Sequence, residues 1–415
     1  MSEACVNQGV NQGTNQAASQ AASQSVQSRD FKRIFISTGE VSGDLQGSLL
    51  TAALLRYAQA ADIDLDVVAL GGDRMEEAGA TLLGNTIALS SFGLAEALPY
   101  VIPTLKMQHH AKRELAKFPP DLVILIDYVG ANVGMGKFIR KRFPDVPIVY
   151  YIAPQEWVWS LNDKNTHQIV ALTDRLLAVF PEEARYYESK GASVTWIGHP
   201  LVDRLQGAPT RETARSHFNI LPDEQIIVLS PASRRQELKL LLPRIFEAAK
   251  NIQDQVPNVT FYIPLALDRF RDAMERAIAD YGLNARLIPK EDGQMAIAAA
   301  DLAITKSGTI NLEIALFNVP QVVVYRIGPV STWIANALKV NFPFASPVNL
   351  VPMRMVVPEL LQENATSDRI TEESLALLSG PKREKILQDY TEVREGLGSV
   401  GVCDRAATEI FALLQ

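Results

Sequence analysis

Asp127 stands where acid–base chemistry is expected in this sequence. It follows five apolar residues, 122–126, that predict a buried strand, and catalytic residues of open α/β sheets lie where such strands end. A carboxylate that is partly removed from water at that point can act as general base on an alcohol. The structural alternative is an aspartate that only caps the next helix.

Glu40 and His199 are the other two candidates for catalysis. Glu40 and Asp44 lie on either side of Ser42 in the loop after the first predicted strand, and we expect one to cap a helix and the other to face the site. His199 lies between a glycine and a proline, in a turn that does not need a core histidine. We therefore expect a site role for His199, with a packing role as the alternative.

Ser307, Gly308 and Thr309 form a small-residue loop that is suited to an anion. The loop follows a short apolar strand, 302–304, and precedes a helix that carries Glu313. Small residues let a phosphate approach the backbone, and the N–H groups at a helix start supply positive potential. Glu313 shares a helix face with Thr309, so its carboxylate can accept hydrogen bonds from a ribose. The pattern indicates a nucleotide diphosphate; a helix cap beside a surface glutamate is the alternative.

Arg234 is the candidate cation for the same ligand. It follows a predicted strand, 226–230, through Pro-Ala-Ser, and a guanidinium can hold a diphosphate through two hydrogen bonds. A surface arginine that begins a helix is the alternative. The loop after the first strand is not GxGxxG, so a dinucleotide is not indicated. The histidines are scattered and no D-x-D cluster follows a strand, so we expect neither a metal nor another cofactor.

An α/β scaffold must position these loops. Strand, small-residue turn and helix alternate from Phe31 to Pro200 and again from Ile226 to Tyr325, which predicts parallel sheets with helices on both faces. We expect two doubly wound Rossmann-like domains that face a cleft, with a helical C-terminus that crosses back over the interface. The expected divisions are a disordered tail of Gln, Asn, Ser and Ala at 1–30, domains at 31–205 and 206–345, and a final segment at 346–415.

Composition excludes several classes of protein. The net charge of −7 argues against a general nucleic-acid binder, which needs a basic surface. The two cysteines, Cys5 and Cys403, provide neither a disulfide framework nor a cysteine zinc site. No apolar run reaches the roughly 18 residues of a spanning helix. The N-terminus lacks the zones of a secretory signal, so we expect a cytoplasmic protein.

One stretch suggests contact with lipid. Residues 87–105 are mostly apolar and broken by a glycine and two prolines, and basic residues follow, among them Lys106, Lys112 and Arg113. Apolar surface beside basic residues suits an interface with anionic lipid or a groove for acyl chains. A buried helix pair is the alternative.

The motifs together resemble those of the lipid-A-disaccharide synthase family, inverting glycosyltransferases of the GT-B fold. The resemblance covers about residues 33–410. It rests on eight motifs in the family's order: G-E-V-S-G-D at 39–44, G-G-D-R-M at 71–75, I-D at 126–127, Y-Y-I-A-P-Q-E-W-V-W at 150–159, G-H-P-L-V-D at 198–203, P-A-S-R at 231–234, S-G-T-I-N-L-E at 307–313 and N-L-V-P-M-R-M-V-V-P-E-L-L-Q at 349–362.

The resemblance implies a reaction and its site. The sugar of UDP-2,3-diacylglucosamine would pass to the six-hydroxyl of 2,3-diacylglucosamine 1-phosphate, in an N-terminal acceptor domain and a C-terminal UDP-sugar domain. It implies a base at Asp127, diphosphate binding by Arg234 and the 307–309 loop, ribose binding by Glu313, and a donor-side loop. The donor-side loop would include Asn349 and Arg354. The acceptor or lipid side would include Ser42 and Asn132. Members are peripheral membrane proteins, here at the inner membrane, and a homodimer with exchanged C-termini is possible.

The chain departs from the family's pattern beside Asp127. The family's I-D-A-P-D-F-N is I-D-Y-V-G-A-N here, so Gly130 replaces a second carboxylate while Asn132 is kept. The family's P-G-S-R is P-A-S-R in this chain, and the family's L-P-N before the donor-side loop is P-V-N. These changes concern the acceptor more than the UDP-sugar. A UDP-sugar epimerase on the same fold, or a protein that binds such ligands without catalysis, are the alternatives.

Overall fold

The chain forms two parallel α/β units followed by helices. A computed structural model describes residues 30–87, 101–158, 162–232, 235–265, 268–328, 332 and 343–414. The predicted tail up to residue 29, most of the apolar stretch, Ser233 and Arg234 lie outside the described residues.

The first unit is built on one twisted layer of strands. Its strands are β1 (Asp30–Ser37), β2 (Ile63–Gly71), β3 (Thr81–Asn85), β4 (Leu122–Ile126), β5 (Ile148–Tyr151), β6 (Arg175–Ala178) and β7 (Val194–Trp196). They pair in parallel in the order β3-β2-β1-β4-β5-β6-β7. Every residue of β4 is buried, as expected of a central strand that is covered by helices on both faces.

Helices cover both faces of this sheet. They are α1 (Val41–Ala60), α2 (Asp73–Glu77), α3 (Val101–Lys117), α4 (Val129–Arg142), α5 (Lys164–Leu172), α6 (Pro181–Ser189) and α7 (Leu201–Arg204). A helical crossover is the ordinary way to connect parallel neighbours, because the chain must return to the same end of the sheet.

The second unit repeats this plan. Its strands are β8 (Gln225–Ser230), β9 (Val259–Pro264), β10 (Ala285–Ile288), β11 (Leu302–Lys306), β12 (Gln321–Tyr325) and β13 (Glu359–Leu361), paired in the order β10-β9-β8-β11-β12-β13. Its helices are α8 (Arg211–His217), α9 (Arg235–Gln253), α10 (Arg271–Tyr281), α11 (Gly293–Ala299), α12 (Ile310–Leu316) and α13 (Pro347–Leu350).

The chain ends in three helices, of which the last packs on the first unit. They are α14 (Ser367–Leu378), α15 (Pro381–Leu397) and α16 (Val402–Phe411). The Phe411 ring of α16 stacks on Tyr57 of α1 with 4.4 Å between centroids. Arg175 of β6 donates to Glu409 over 2.7 Å. Burial of the apolar face of α16 against α1 therefore ties the end of the chain to its beginning.

The predicted fold class, two parallel-sheet α/β domains with a helical C-terminus, is confirmed. Three strands were not predicted, namely β3, β7 and β13, because they are short and carry polar residues or glycine within three to five positions. The final segment contains the short helix α13, whose first turn is capped by the Ser346 side chain. β1 begins at Asp30, one residue inside the predicted tail.

Candidate active site

Both sheets reverse their strand order at the predicted site loops. In the first sheet β1 pairs with β4, with Ser37 beside Leu125, so the loops that follow these strands are neighbours. In the second sheet β11 pairs with β8, with Thr305 beside Ser230. Ligands of open α/β sheets bind at such reversal points, because the connecting helices diverge to opposite faces and leave a crevice. Asp127 and the 307–309 loop each lie at one of them.

The backbone at Asp127 is held in an unusual turn. Asp127 and Tyr128 have φ angles of 48° and 45°, in the left-handed region that few residues other than glycine adopt. The Asp127 carbonyl accepts from Asn132 Nδ2 over 2.8 Å and from Tyr150 Oη over 2.9 Å. Its N–H donates to the Ile152 carbonyl over 3.0 Å. Strain that is fixed by so many hydrogen bonds is typical of functional turns.

The environment of Asp127 suits a base at neutral pH. Burial, and then the charge of Glu40, raise the pKa of Asp127 to about 7, against a 2.8 Å hydrogen bond from the Tyr128 N–H that lowers it. The loop that carries Glu40 can lie against Tyr128 because residue 39 is a glycine. A Cβ on Gly39 would lie 2.4 Å from the Tyr128 ring. Both protonation states of Asp127 are therefore populated near pH 7, which favours proton transfer.

The two acids of the 39–44 loop divide as the sequence suggested. Asp44 is buried and accepts from the N–H groups of Gly72, over 2.8 Å, and Met75, over 3.3 Å, so it caps α2. Glu40 instead lies at the start of α1 on the side of Asp127. Ser42 is half-buried in the first turn of α1.

Asn132 supports the turn from inside the protein. It has no exposed surface, and Nδ2 also donates to the Ile126 carbonyl over 2.9 Å while Oδ1 accepts from Ser37 Oγ over 2.8 Å. Its place in the structure is thus beneath the site, where it orients Asp127. Gly130 is exposed, and a Cβ there would meet no atom within 4 Å.

His199 has the surroundings of a core histidine, contrary to the sequence argument. It is 5% exposed, its Nδ1 accepts from the Leu201 N–H over 3.2 Å, and its ring lies 5.4 Å from that of Phe180. Burial lowers the pKa of His199 to about 3, so the imidazole is neutral at physiological pH. The main-chain N–H of His199 donates to the Leu397 carbonyl over 2.8 Å. The returning C-terminal segment creates this environment, which the local sequence does not reveal.

Glu183 is a buried carboxylate near Asp127 that was not predicted. It accepts from the N–H groups of Ala153, Val179 and Phe180 over 2.7, 2.8 and 3.1 Å, and so joins the loops after β5 and β6. Burial raises the pKa of Glu183 to about 7. The signal in the sequence was Pro181 at a helix start with a glutamate two residues later, a pattern of helix caps.

The 307–309 loop is fastened at both ends. Ser307 Oγ donates to the Ala345 carbonyl over 2.6 Å, and the Gly308 N–H donates to Asn311 Oδ1 over 2.8 Å. Gly308 has a φ of 155°, which favours glycine. A Cβ on Gly308 would lie 3.0 Å from Lys306 Nζ, so this ammonium, which also pairs with Glu237 at 3.6 Å, is beside the loop. Thr309 precedes α12 directly.

Glu313 faces partners from two directions. Gln294 Nε2 donates to Oε1 over 3.2 Å, and Arg204 Nη1 lies 3.2 Å from Oε1 and 3.3 Å from Oε2. The Glu313 residue is 8% exposed. Arg204 belongs to α7 of the first unit, so this ion pair joins the two units. Sequence reasoning did not find it, because 109 positions separate the two residues.

Asn349 and Arg354 both have partners within the chain. Asn349 has no exposed surface; Nδ2 donates to Glu359 Oε1 over 2.7 Å, and Oδ1 accepts from the Val356 N–H over 2.7 Å. Arg354 pairs with Asp389 of α15 at 3.1 Å and with the neighbouring Glu392. Asn349 is thus held inside the protein, whereas the Arg354 side chain is 39% exposed and pairs with its partners near the surface.

Contacts lead from Asp127 to helix α7, which carries the partner of Glu313. Glu183 lies close enough to Asp127 for their charges to interact. From Glu183 the contacts pass through Phe180 and His199 to Leu201, the first residue of α7, and Arg204 at the other end of α7 pairs with Glu313. Within the described ranges, no group of three His, Cys, Asp or Glu side chains is arranged for a metal ion. None of the described helices is long and apolar enough to cross a membrane.

Solved structures of known proteins share this fold. UDP-GlcNAc 2-epimerase from Neisseria meningitidis bound to UDP-GlcNAc aligns with a TM-score of 0.63 and 13% identity, over 92% of this chain and 100% of that one. The S. aureus MnaA structure with UDP aligns with a TM-score of 0.64 and 16% identity, over 92% and 98%. At these identities the likeness concerns the fold alone.

Sequence relatives identify the family. A lipid-A-disaccharide synthase of Gloeothece citriformis is 58% identical over 91% of this chain and 99% of its own length. The protein of the same description from Synechocystis is 51% identical, over 91% and 97%. The family model for lipid-A-disaccharide synthetase matches residues 34–411. The chain therefore belongs to the lipid-A-disaccharide synthase family.

Proposed function

We propose that this chain is the glycosyltransferase that forms the lipid A disaccharide. It transfers 2,3-diacylglucosamine from its UDP derivative to the six-hydroxyl of 2,3-diacylglucosamine 1-phosphate and releases UDP. One observation carries the assignment of the base in this member of the family. Asp127 has a pKa of about 7 and lies in a fixed turn, at the point where the first sheet reverses its strand order.

Asp127 acts as the general base. Its carboxylate accepts the proton of the acceptor hydroxyl while the hydroxyl oxygen bonds to the anomeric carbon of the donor and the bond from that carbon to the diphosphate oxygen breaks. Attack opposite the leaving group inverts the anomeric centre. The proton leaves Asp127 for solvent after the products dissociate. Asn132 and Tyr150 hold the turn, and burial together with the charge of Glu40 keeps the pKa of Asp127 near neutrality.

The 307–309 loop holds the departing diphosphate. Gly308 lets a phosphate approach the backbone, and Lys306 Nζ adds positive charge beside it. Arg234, which lies outside the described residues, is the second cation of this proposal. Glu313 accepts hydrogen bonds from the ribose, and the loop that Asn349 and Arg354 shape borders the donor sugar.

The acceptor and the acyl chains approach from the first unit, on the side of Ser42. Val101, Ile102 and Leu105 of α3 are 46%, 65% and 60% exposed, and Lys106 beside them is exposed as well. Apolar side chains next to a cation suit the headgroup region of an anionic bilayer. We therefore place the protein at the cytoplasmic surface of the inner membrane, and loss of co-sedimentation with anionic vesicles in a variant with Ile102→Ser and Leu105→Ser would support this.

A UDP-sugar epimerase is the second candidate, favoured only by the fold of the neighbours. The deciding experiment incubates purified protein with UDP-diacylglucosamine, with or without the monosaccharide 1-phosphate, and analyses the products by mass spectrometry. The transferase yields a disaccharide and UDP only when both substrates are present. Conversion of the donor alone to an isomer, with no disaccharide from the pair, would favour the epimerase.

A further inference from the structure

Arg204 is the only partner of Glu313 among the described ion pairs, and it reaches Glu313 from the other unit. The Arg204 side chain is 31% exposed and that of Glu313 is 11% exposed, so water screens the pair only in part. One guanidinium nitrogen lies within 3.3 Å of both carboxylate oxygens. The carboxylate is thereby held in one orientation, with Gln294 on Oε1 at 3.2 Å.

The carboxylate keeps acceptor capacity for a ligand. An ionised carboxylate offers about four lone-pair positions, and the contacts with Arg204 and Gln294 use up to three of them. The remaining capacity matches hydroxyl donors such as those of a ribose. A glutamate without these partners could rotate about its side-chain bonds, and the cost of ordering it would be subtracted from the binding energy.

The helix that carries Arg204, α7, is anchored by hydrogen bonds to the last helix of the chain. Asp203, its neighbour in α7, accepts from the N–H groups of Gly401 and Cys403 over 2.7 and 2.8 Å and so caps α16. The capped helix is in turn buried against α1. α7 is therefore anchored to the C-terminal helix through Asp203 and contacts Glu313 through Arg204. The contact between Arg204 and Glu313 thus depends on how the two units are placed relative to each other.

We propose that Arg204 is a positioning residue for the nucleotide ribose, which orients the Glu313 carboxylate across the boundary between the two units. This inference rests on the proposed ribose role of Glu313. It makes donor affinity depend on the relative placement of the units, because the group that orients the ribose acceptor belongs to the other half of the chain.

The test compares UDP with 2′,3′-dideoxy-UDP, which lacks the ribose hydroxyls, in calorimetric titrations of the full chain. The native protein should bind UDP at least about tenfold more tightly than the dideoxy compound, as hydrogen bonds to a charged group imply. Arg204→Gln should lose most of that preference by weakening UDP binding about tenfold, with dideoxy-UDP binding unchanged. Arg204→Lys, which keeps the charge, should restore part of it.

Arg211→Gln is the matched control. Arg211 lies in the following segment and pairs with Asp301 at 2.6 Å, so this variant also loses an ion pair but should keep the native preference for UDP. Thermal unfolding of each variant checks that the fold is retained. An Arg204→Gln protein that still prefers UDP as the native protein does would overturn the positioning role and leave the proposed function intact. If the native protein and Glu313→Gln both bind the two nucleotides equally, the ribose assignment itself fails, and this inference with it.

Discussion

Asn132 Nδ2 donates to the main-chain carbonyl of Asp127 over 2.8 Å, so a fully buried amide fixes the turn that carries the proposed base. The same side chain bonds to Ser37 at the end of β1 and to Ile126 at the end of β4. It therefore joins the two strands at which the sheet reverses its order. The turn at Asp127 keeps its unusual backbone angles because this amide satisfies the carbonyls around it.

Asp127→Asn should lower kcat at least about a hundredfold, because general-base contributions are usually of that size. The amide is close to the carboxylate in shape, so UDP affinity should be unchanged. Steady-state kinetics of disaccharide formation, together with UDP titration, separate the two effects. Near-normal turnover in this variant would remove Asp127 from the role of base.

The pH profile reports the same group. Since Asp127 must be ionised to accept a proton, kcat/KM should rise with pH and level off above an apparent pKa of about 7. Glu40→Gln removes a negative charge that raises this pKa, so the rising limb should move to lower pH. Burial contributes more than Glu40, so the limb should remain above the ordinary aspartate value of 3.8. A limb that stays in place would show that Glu40 does not act on Asp127.

Asn132→Ala should lower the free energy of unfolding by about 2 kcal/mol or more, because it leaves buried carbonyls and the Ser37 hydroxyl without their partner. It should also reduce kcat, since the Asp127 turn loses a hydrogen bond. Ser37→Ala is the control, because it removes only the bond to Asn132 Oδ1. Chemical denaturation and kinetics measure both effects. Equal stability of the two variants would contradict the supporting role of the amide.

Lys306→Met should raise KM for the UDP-sugar roughly tenfold, because an ammonium beside the diphosphate is lost. Lys306→Arg keeps the charge and should recover part of the affinity. The side chain also pairs with Glu237, so thermal unfolding of both variants is needed alongside the kinetics. Unchanged KM in the methionine variant would exclude Lys306 from the donor site.

Gly130→Asp introduces the second carboxylate that the family's motif has at this position. Gly130 is exposed at the start of α4, where a Cβ meets no atom within 4 Å and a negative charge interacts favourably with the helix dipole. The free energy of unfolding should therefore change by less than about 0.5 kcal/mol. Disaccharide formation should persist, because the proposed base, Asp127, is unchanged. A large loss of turnover would show that the acceptor needs Gly130.

Much of the strand pattern followed from local sequence. β4 has the predicted bounds, because an unbroken apolar run next to a small-residue turn specifies a buried parallel strand. Short strands such as β7 were not predicted, since their formation depends on pairing with a neighbouring strand rather than on their own composition. The identity of Asp44 as the helix cap, and not Glu40, likewise depended on α2 lying beside α1.

By itself the sequence determined that Asp127 and the 307–309 loop each follow a strand of an α/β sheet. Only the tertiary structure decided that β1 lies beside β4, that the C-terminal segment covers His199, and that Arg204 meets Glu313. Alternation of strands and helices is a local property, whereas strand order and contacts between distant segments depend on how the whole chain buries its apolar faces.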